Sequence, residues 1–188
     1  MPALAACRHR EVREGFEVLF LSRERDGIRL DGHATGLEEG EAWGIRYSIV
    51  LDRRWRTRSA RIAGRSRGGA RELGIEADGA GGWTVDGAPA PHLAGCPDID
   101  LEASAFTNAL PVNRLGLEVG GRAEAPAAYV RAVDLRVERL EQSYARLPDD
   151  GPRSRYDYES PEFEFAAVLT YDRFGLILDY PGIAVRVA

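Results

Sequence analysis

Two carboxylates stand two residues apart in the segment CPDIDLEASAFTNALPVNRL, residues 96–115. On a strand, Asp98 and Asp100 would point to the same side, about 6.5–7 Å apart. That separation is near that of the acid pair of a glycosidase, and such a pair would also suit a divalent metal ion. The alternative is an Asx turn, because Pro97-Asp98 is typical of a turn whose carboxylate accepts backbone hydrogen bonds. We favour the turn, since nothing else in the sequence completes a catalytic pair, and we predict no catalytic residue and no metal ligand.

Other catalytic chemistry has weaker support. The three histidines include His92, four residues before Cys96, but the intervening PHLAGCPD is loop-like and no G-x-S-x-G motif occurs. Two cysteines form neither a disulfide framework nor a zinc site. All 25 basic residues are arginine, so lysine chemistry such as a Schiff base is excluded. We expect a protein without a cofactor and without enzymatic activity.

The charge balance argues against nucleic acid as a partner, because the formal net charge is -5. One segment, RRWRTRSARIAGRSRGGAR at 53–71, is nevertheless strongly basic. It predicts either a surface for phosphate, sulfate or an anionic lipid headgroup, or a solvated strand face balanced by acidic neighbours. The solvated face is the favoured interpretation.

The chain shows no apolar run long enough to span a membrane, and its N-terminus does not fit a signal peptide. We therefore expect a cytoplasmic protein with free thiols.

Short alternating runs separated by Gly, Pro and Asp dominate the chain. In GIRYSIVLD, residues 44–52, every second residue is apolar, which predicts a strand with one buried face. Many such runs with frequent turns predict an all-β fold, namely an antiparallel sandwich, barrel or roll, in a single domain over 1–188. Aromatic residues cluster near the C-terminus, including Tyr156, Tyr158 and Tyr180, where they form either a sugar- or acyl-binding cavity or ordinary core.

The segment Val130–Leu147 is ambiguous. Val133, Val137 and Leu140 step by four and three, which favours a helix, whereas Val133, Leu135 and Val137 also fit a strand. The pattern alone favours the helix.

Several segments in order carry a resemblance: CPDIDL, TNALPVNRL, QSYARL, YDYES and YDRFGLILDYPG, with YSIVLDRRW upstream. Over about Trp43–Val187 the chain resembles a bacterial glycolipid-binding family. The resemblance implies an all-β spiral β-roll, in which a long antiparallel sheet curls on itself, with at most one short helix. It also implies that Val130–Leu147 is a strand.

The resemblance further implies non-enzymatic binding of an amphipathic ligand such as a glycolipid. An apolar trough of several hundred Å³ would hold the acyl chains, and a few polar residues at its rim would hold the headgroup. The candidate ligand-binding residues are Asn108, Arg114, Gln142, Tyr144 and Tyr158. Arg114 is the candidate for an anionic group, because Asn113 stands where the family pattern has a second basic residue.

Two alternatives remain open. The chain is an interaction module or homo-oligomer without a small ligand, which predicts a large exposed apolar patch. Less favoured is a hydrolase that uses Asp98 and Asp100 in one cleft. The sequence leaves the choice between monomer and homodimer open.

Overall fold

The computed structural model describes residues 2–188 and confirms the all-β prediction. Seventeen strands follow the alternating runs, because alternation gives each strand one face for the core and one for solvent. The strands are β1 (Leu4–His9), β2 (Glu14–Glu24), β3 (Gly27–Glu38), β4 (Glu41–Asp52), β5 (Thr57–Ser66), β6 (Gly69–Ala77), β7 (Trp83–Val85), β8 (Ala88–Pro89), β9 (Asp98–Leu101), β10 (Arg122–Glu124), β11 (Ala127–Val130), β12 (Val137–Leu140), β13 (Ser143–Asp150), β14 (Arg153–Ser160), β15 (Phe165–Tyr171), β16 (Ile177–Tyr180) and β17 (Ala184–Arg186).

Fourteen strands form one antiparallel sheet in the order β10-β13-β14-β15-β16-β17-β1-β2-β3-β4-β5-β6-β7-β8. The pairing of β17 with β1 joins the two halves of the chain. The remaining strands form a small sheet in the order β12-β11-β9, in which β9 and β11 run parallel. The large sheet is open, since β10 and β8 are its two edges.

The large sheet curls around a shared core. Ile49 on β4, Leu169 on β15 and Ile99 on β9 are all fully buried and belong to one hydrophobic cluster. Strands far apart in the sheet order can share a core only if the sheet bends back on itself. The implied spiral roll with a short helix is therefore confirmed: α1 (Ala109–Leu115) is the one α-helix within residues 2–188, and it ends at Gly116, whose positive φ of 53° suits a helix C-cap.

Strand β4 shows how the sequence sets this packing. The predicted buried face is confirmed, with Tyr47 and Ile49 inside the roll. On the neighbouring β3, Gly32 lies opposite Tyr47, and a Cβ there would come within 2.0 Å of the Tyr47 ring. The glycine thus leaves the space that the ring occupies.

The ambiguous segment Val130–Leu147 contains the end of β11, a turn over 131–136, strand β12 and most of β13, and no helix. Val133 lies in the turn between β11 and β12 and is 43% exposed, so the helical stripe has no continuous buried face. Pairing of β13 with β14, in which Tyr144 lies opposite Tyr158, stabilises the extended form. The strand that the family resemblance implied is confirmed, because these tertiary pairings outweigh the local pattern.

Candidate functional site

A pocket of about 280 Å³ opens at one end of the roll, which we call the pocket end. The turns between β1 and β2, β3 and β4, β14 and β15, and β16 and β17 surround it, and the small sheet forms its inner side. Its lining consists of Val12, Arg13, Glu38, Asp100, Leu101, Glu102, Ser104, Asn108, Tyr129, Leu140, Tyr158, Ser160, Phe163, Phe165, Tyr180 and Ile183.

Aromatic rings form one wall of the pocket. Tyr158, Phe165 and Tyr180 pack against one another with ring centroids 5.8–6.1 Å apart. Across the pocket, Tyr129 and Phe163 lie 5.5 Å apart. Phe163 lies in a 3-10 turn and is 42% exposed, so it belongs to the rim of the pocket.

Asp100 supplies a buried carboxylate to this pocket. Its Oδ1 accepts a hydrogen bond of 2.6 Å from the Thr107 hydroxyl. The pKa of Asp100 is raised to about 6, because burial raises it most, the Thr107 hydrogen bond opposes the rise, and the charge of the nearby Asp98 adds to it. The group therefore carries a negative charge at neutral pH in a largely apolar setting.

Arg13 and Ser160 supply buried polar atoms that lack a hydrogen-bond partner among the described residues. Arg13 packs over the Trp43 ring at 5.5 Å and donates from Nη1 to the Glu102 carbonyl oxygen at 2.8 Å. Its Nε has no hydrogen-bond partner within residues 2–188, and the Glu38 carboxylate lies 3.6 Å away. Ser160 is 1% exposed, and its Oγ likewise has no partner in the described chain. Buried polar atoms are rarely left unpaired in folded proteins, so both are candidates for ligand contact.

Asp98 has a different role from Asp100. Both lie on β9 and are buried, so the predicted Asx turn is wrong. Arg114 donates two hydrogen bonds to the Asp98 carboxylate, and Asp98 is absent from the pocket lining. Burial raises the pKa of Asp98, while Arg114 opposes that rise. The two carboxylates therefore do not share the cleft that a hydrolase would need.

The five predicted ligand-binding residues lie in three places: in the lining of the pocket, directly behind it, and outside it. Asn108 and Tyr158 line the pocket. Tyr144 lies behind it, fully buried, and donates a hydrogen bond of 2.7 Å to Asn108 Oδ1, with Gln142 Oε1 at 3.4 Å from the same hydroxyl. Arg114 is bound to Asp98 outside the pocket. Contact of these residues with a ligand stays a prediction.

Three further candidate residues of the pocket, Arg13, Asp100 and Ser160, are not among the ligand-binding residues predicted from the sequence. The sequence carries one partial signal, because Asp100 stands out by its spacing from Asp98. Arg13 and Ser160 lie in or beside turns, 147 residues apart in sequence. Only the curling of the sheet brings those turns together.

Both cysteines are free, buried thiols. Burial raises the pKa of the Cys7 thiol to about 12 and that of Cys96 to about 11, so both stay protonated at neutral pH.

Within residues 2–188, no three His, Cys, Asp or Glu residues are grouped to hold a metal ion. No helix in the same range is long and apolar enough to cross a membrane.

The interaction-module alternative predicts an exposed apolar patch. Leu4 and Phe20 lie opposite each other on β1 and β2 and are 45% and 48% exposed. Phe16, on the same outer face of β2, is 41% exposed. These residues are where a protein contact of that kind would form.

The chain is similar to solved structures. A DUF1089 family protein from Pseudomonas aeruginosa is 38% identical, with a TM-score of 0.77 over 91% of this chain and 92% of that one. A β-barrel-like protein of the DUF1849 domain from Brucella abortus is 9% identical, with a TM-score of 0.50 over 98% and 92% of the two chains, which shows a shared fold alone. None of the curated proteins compared with the chain matches it.

The family comparison covers nearly the whole chain. The model of the family described as "Putative glycolipid-binding" matches residues 7–186. This range contains every strand from β2 to β17, the helix and all the pocket-lining residues. The chain therefore belongs to this glycolipid-binding family.

Proposed function

We propose that this protein binds a glycolipid whose headgroup is an uncharged sugar, and that the sugar occupies the pocket. The observation that carries the proposal is the aromatic wall beside three buried polar groups with free hydrogen-bonding capacity. A sugar hydroxyl both donates and accepts, so it can donate to Asp100 and accept from Arg13 Nε. The apolar face of a sugar ring packs against Tyr158 and Phe165.

Charge favours an uncharged headgroup. Arg13 is the one cation in the lining, which also contains the carboxylates of Asp100, Glu102 and Glu38. Further acids lie in the surrounding turns: Glu11, Glu39, Glu162 and Glu164. Arg131, which packs over the Tyr129 and Phe163 rings, is itself paired with Glu102 and Glu138, so a phosphate or sulfate would meet net repulsion here.

The pocket volume favours a headgroup over a whole lipid. About 280 Å³ is slightly below the range of roughly 300–1,000 Å³ typical of ligand pockets, and smaller than the trough that the sequence led us to expect. The acyl part would then lie outside, against the rim residues Val12 and Phe163, which are 43% and 42% exposed.

Native mass spectrometry of protein purified from bacterial cells without detergent, followed by solvent extraction, tests this proposal. We expect a bound species that extracts as a sugar-containing lipid. Asp100→Asn should lose it, whereas the exposed control Asp134→Asn should retain it. A bound lipid with a phosphate or sulfate headgroup, or equal retention by both variants, would contradict the proposal.

The natural ligand is absent from the purified protein if the expression host does not make it. A titration with n-octyl glucoside below its critical micelle concentration tests binding without that ligand. We expect saturable binding by the wild-type protein and weaker binding by Asp100→Asn. Octyl sulfate, which has the same tail, should bind more weakly than the glucoside. The reverse order would show that the tail and a negative charge, and not the sugar, determine binding.

A further inference from the structure

The end of the roll opposite the pocket has a different surface. In an antiparallel meander successive turns alternate between the two ends, so the β2–β3, β4–β5 and β15–β16 turns lie away from the pocket end. Together they form a recess of about 600 Å³ that we call the basic end. Its lining consists of Arg23, Glu24, Arg25, Gly27, Ile28, Arg53, Trp55, Asn113, Arg173 and Phe174.

Positive charge dominates this recess. Four arginines and one acid, Glu24, line it in a chain whose net charge is -5. Arg23, Arg25 and Arg173 form no ion pair within residues 2–188, and Arg53 has only a loose pair with Asp26 at 3.7 Å, with both side chains largely exposed. Glu24 itself is paired with Arg29.

Two acids beside the recess, Asp52 and Asp172, are already engaged. Asp52 Oδ1 accepts the backbone N–H groups of Arg54 and Arg56, and both of these arginines are exposed. Asp172 accepts two backbone hydrogen bonds and lies 3.4 Å from Arg186. Within the recess the four arginines therefore outnumber the one acid, while Asp149, which is paired with Arg146, and Asp150 lie in the β13–β14 turn at the same end.

Aromatic side chains lie among these arginines. Trp55 is half-buried at the β4–β5 turn, and its φ of 64° lies in the left-handed region that non-glycine residues rarely adopt. The Arg173 guanidinium packs over the Phe174 ring at 4.7 Å. Tryptophan beside arginine is the combination found where proteins meet the boundary between lipid headgroups and acyl chains.

We propose that the basic end docks on the surface of an anionic lipid bilayer. The cations are exposed and distributed over three turns, which matches a plane of many phosphates better than one enclosed phosphate. The apolar groups Trp55, Phe174 and Ile28 would lie at the headgroup level. The pocket then faces away from the bilayer, so docking is independent of ligand binding in the pocket.

Vesicle co-sedimentation tests the proposal. We compare phosphatidylcholine vesicles with vesicles of phosphatidylcholine and phosphatidylglycerol, at low and at raised salt. The protein should bind only the vesicles that contain phosphatidylglycerol, and salt should weaken that binding because it screens exposed charges. Equal binding to both vesicle types, or no binding to either, would overturn the proposal.

Matched charge reversals locate the contact. Arg25→Glu with Arg173→Glu should reduce the partition coefficient by at least about tenfold. Arg65→Glu with Arg71→Glu makes the same change in net charge at the exposed β5–β6 hairpin, whose turn lies at the pocket end, and should have little effect. Equal losses in the two pairs would show that overall charge, and not the basic end, drives binding.

Fluorescence gives an independent readout. Trp43 and Trp83 are buried, so of the three tryptophans Trp55 is the one positioned to report contact with lipid. Anionic vesicles should shift its emission to shorter wavelength, and Trp55→Phe should remove the shift.

Inorganic phosphate that released the protein at constant ionic strength would indicate a discrete phosphate site and overturn bilayer docking. Asp100→Asn should bind vesicles like the wild type, which separates this test from that of the sugar pocket.

Discussion

Arg114 on helix α1 binds Asp98 on β9 through two nitrogens, with Nη2 2.6 Å from Oδ2 and Nε 3.0 Å from Oδ1. The Asp98 side chain is 1% exposed and that of Arg114 is 13% exposed. This buried pair holds helix α1 against strand β9 of the small sheet. It also explains why Arg114 and Asp98, both conspicuous in the sequence, lie away from the pocket.

Removal of one partner of this pair should destabilise the fold. Arg114→Met leaves a buried, uncompensated carboxylate and should lower the free energy of unfolding by about 3–5 kcal/mol, measured by urea denaturation. The double variant with Asp98→Leu and Arg114→Met should lose less than the single variant, because no buried charge remains. A single variant that lost under about 1 kcal/mol would mean that the pair is not buried in solution.

Two fully buried tyrosines offer a matched test of buried hydrogen bonds. The Tyr144 hydroxyl donates to Asn108 Oδ1, whereas the Tyr171 hydroxyl has no partner within residues 2–188. Tyr144→Phe should cost about 1–3 kcal/mol of unfolding free energy, because it leaves the Asn108 oxygen unpaired. Tyr171→Phe should be neutral or slightly stabilising. Similar losses in thermal or urea unfolding would contradict this difference.

The buried Glu17 should make stability depend on pH. Its Oε1 accepts from the Tyr47 hydroxyl and its Oε2 from the Ala105 N–H, yet burial outweighs these bonds and raises its pKa from 4.5 to about 7. The folded state therefore holds a proton that the unfolded state releases between these values. Its contribution to stability is present below about pH 4.5 and is lost as pH rises through about 7.

Glu17→Gln isolates this contribution. The difference in unfolding free energy between wild type and variant should change by up to about 3 kcal/mol between pH 4.5 and pH 8, in the direction of lower wild-type stability at high pH. The comparison is needed because burial lowers the pKa of His9 to about 4, which acts in the opposite direction between about pH 4 and 6.5. A difference that stayed constant with pH would show that Glu17 is not protonated in the folded state.

Binding in the pocket should also depend on pH. The Asp100 carboxyl group, with a pKa raised to about 6, accepts charge-assisted hydrogen bonds from sugar hydroxyls only when it is ionised. The affinity for n-octyl glucoside should therefore fall as the pH drops from 7.5 to 5, by about tenfold for one lost charged hydrogen bond. Asp100→Asn should bind weakly at both pH values. An unchanged affinity in the wild-type protein would remove Asp100 from the site.

The sequence by itself determined the strands and the faces that they bury. Alternation places Tyr47 and Ile49 inside because the two-residue repeat of a strand is a local property of the backbone. The family segments, read in order, led to the spiral roll and to strands over Val130–Leu147, where the local periodicity alone favoured a helix. They also directed attention to the segment that carries Asp100, Asn108 and Arg114.

Only the tertiary structure decided which of these residues meet. Arg13 and Ser160 join Asp100 in one pocket because the curled sheet brings the turn after β1 next to the end of β14. The same folding removes Arg114 from that pocket, since a guanidinium group buried beside Asp98 is stabilised by that carboxylate. The arginines of the basic end come from three turns that are separate in sequence. Contacts of this kind depend on the register and curvature of the sheet. The spacing of residues along one strand determines neither of them.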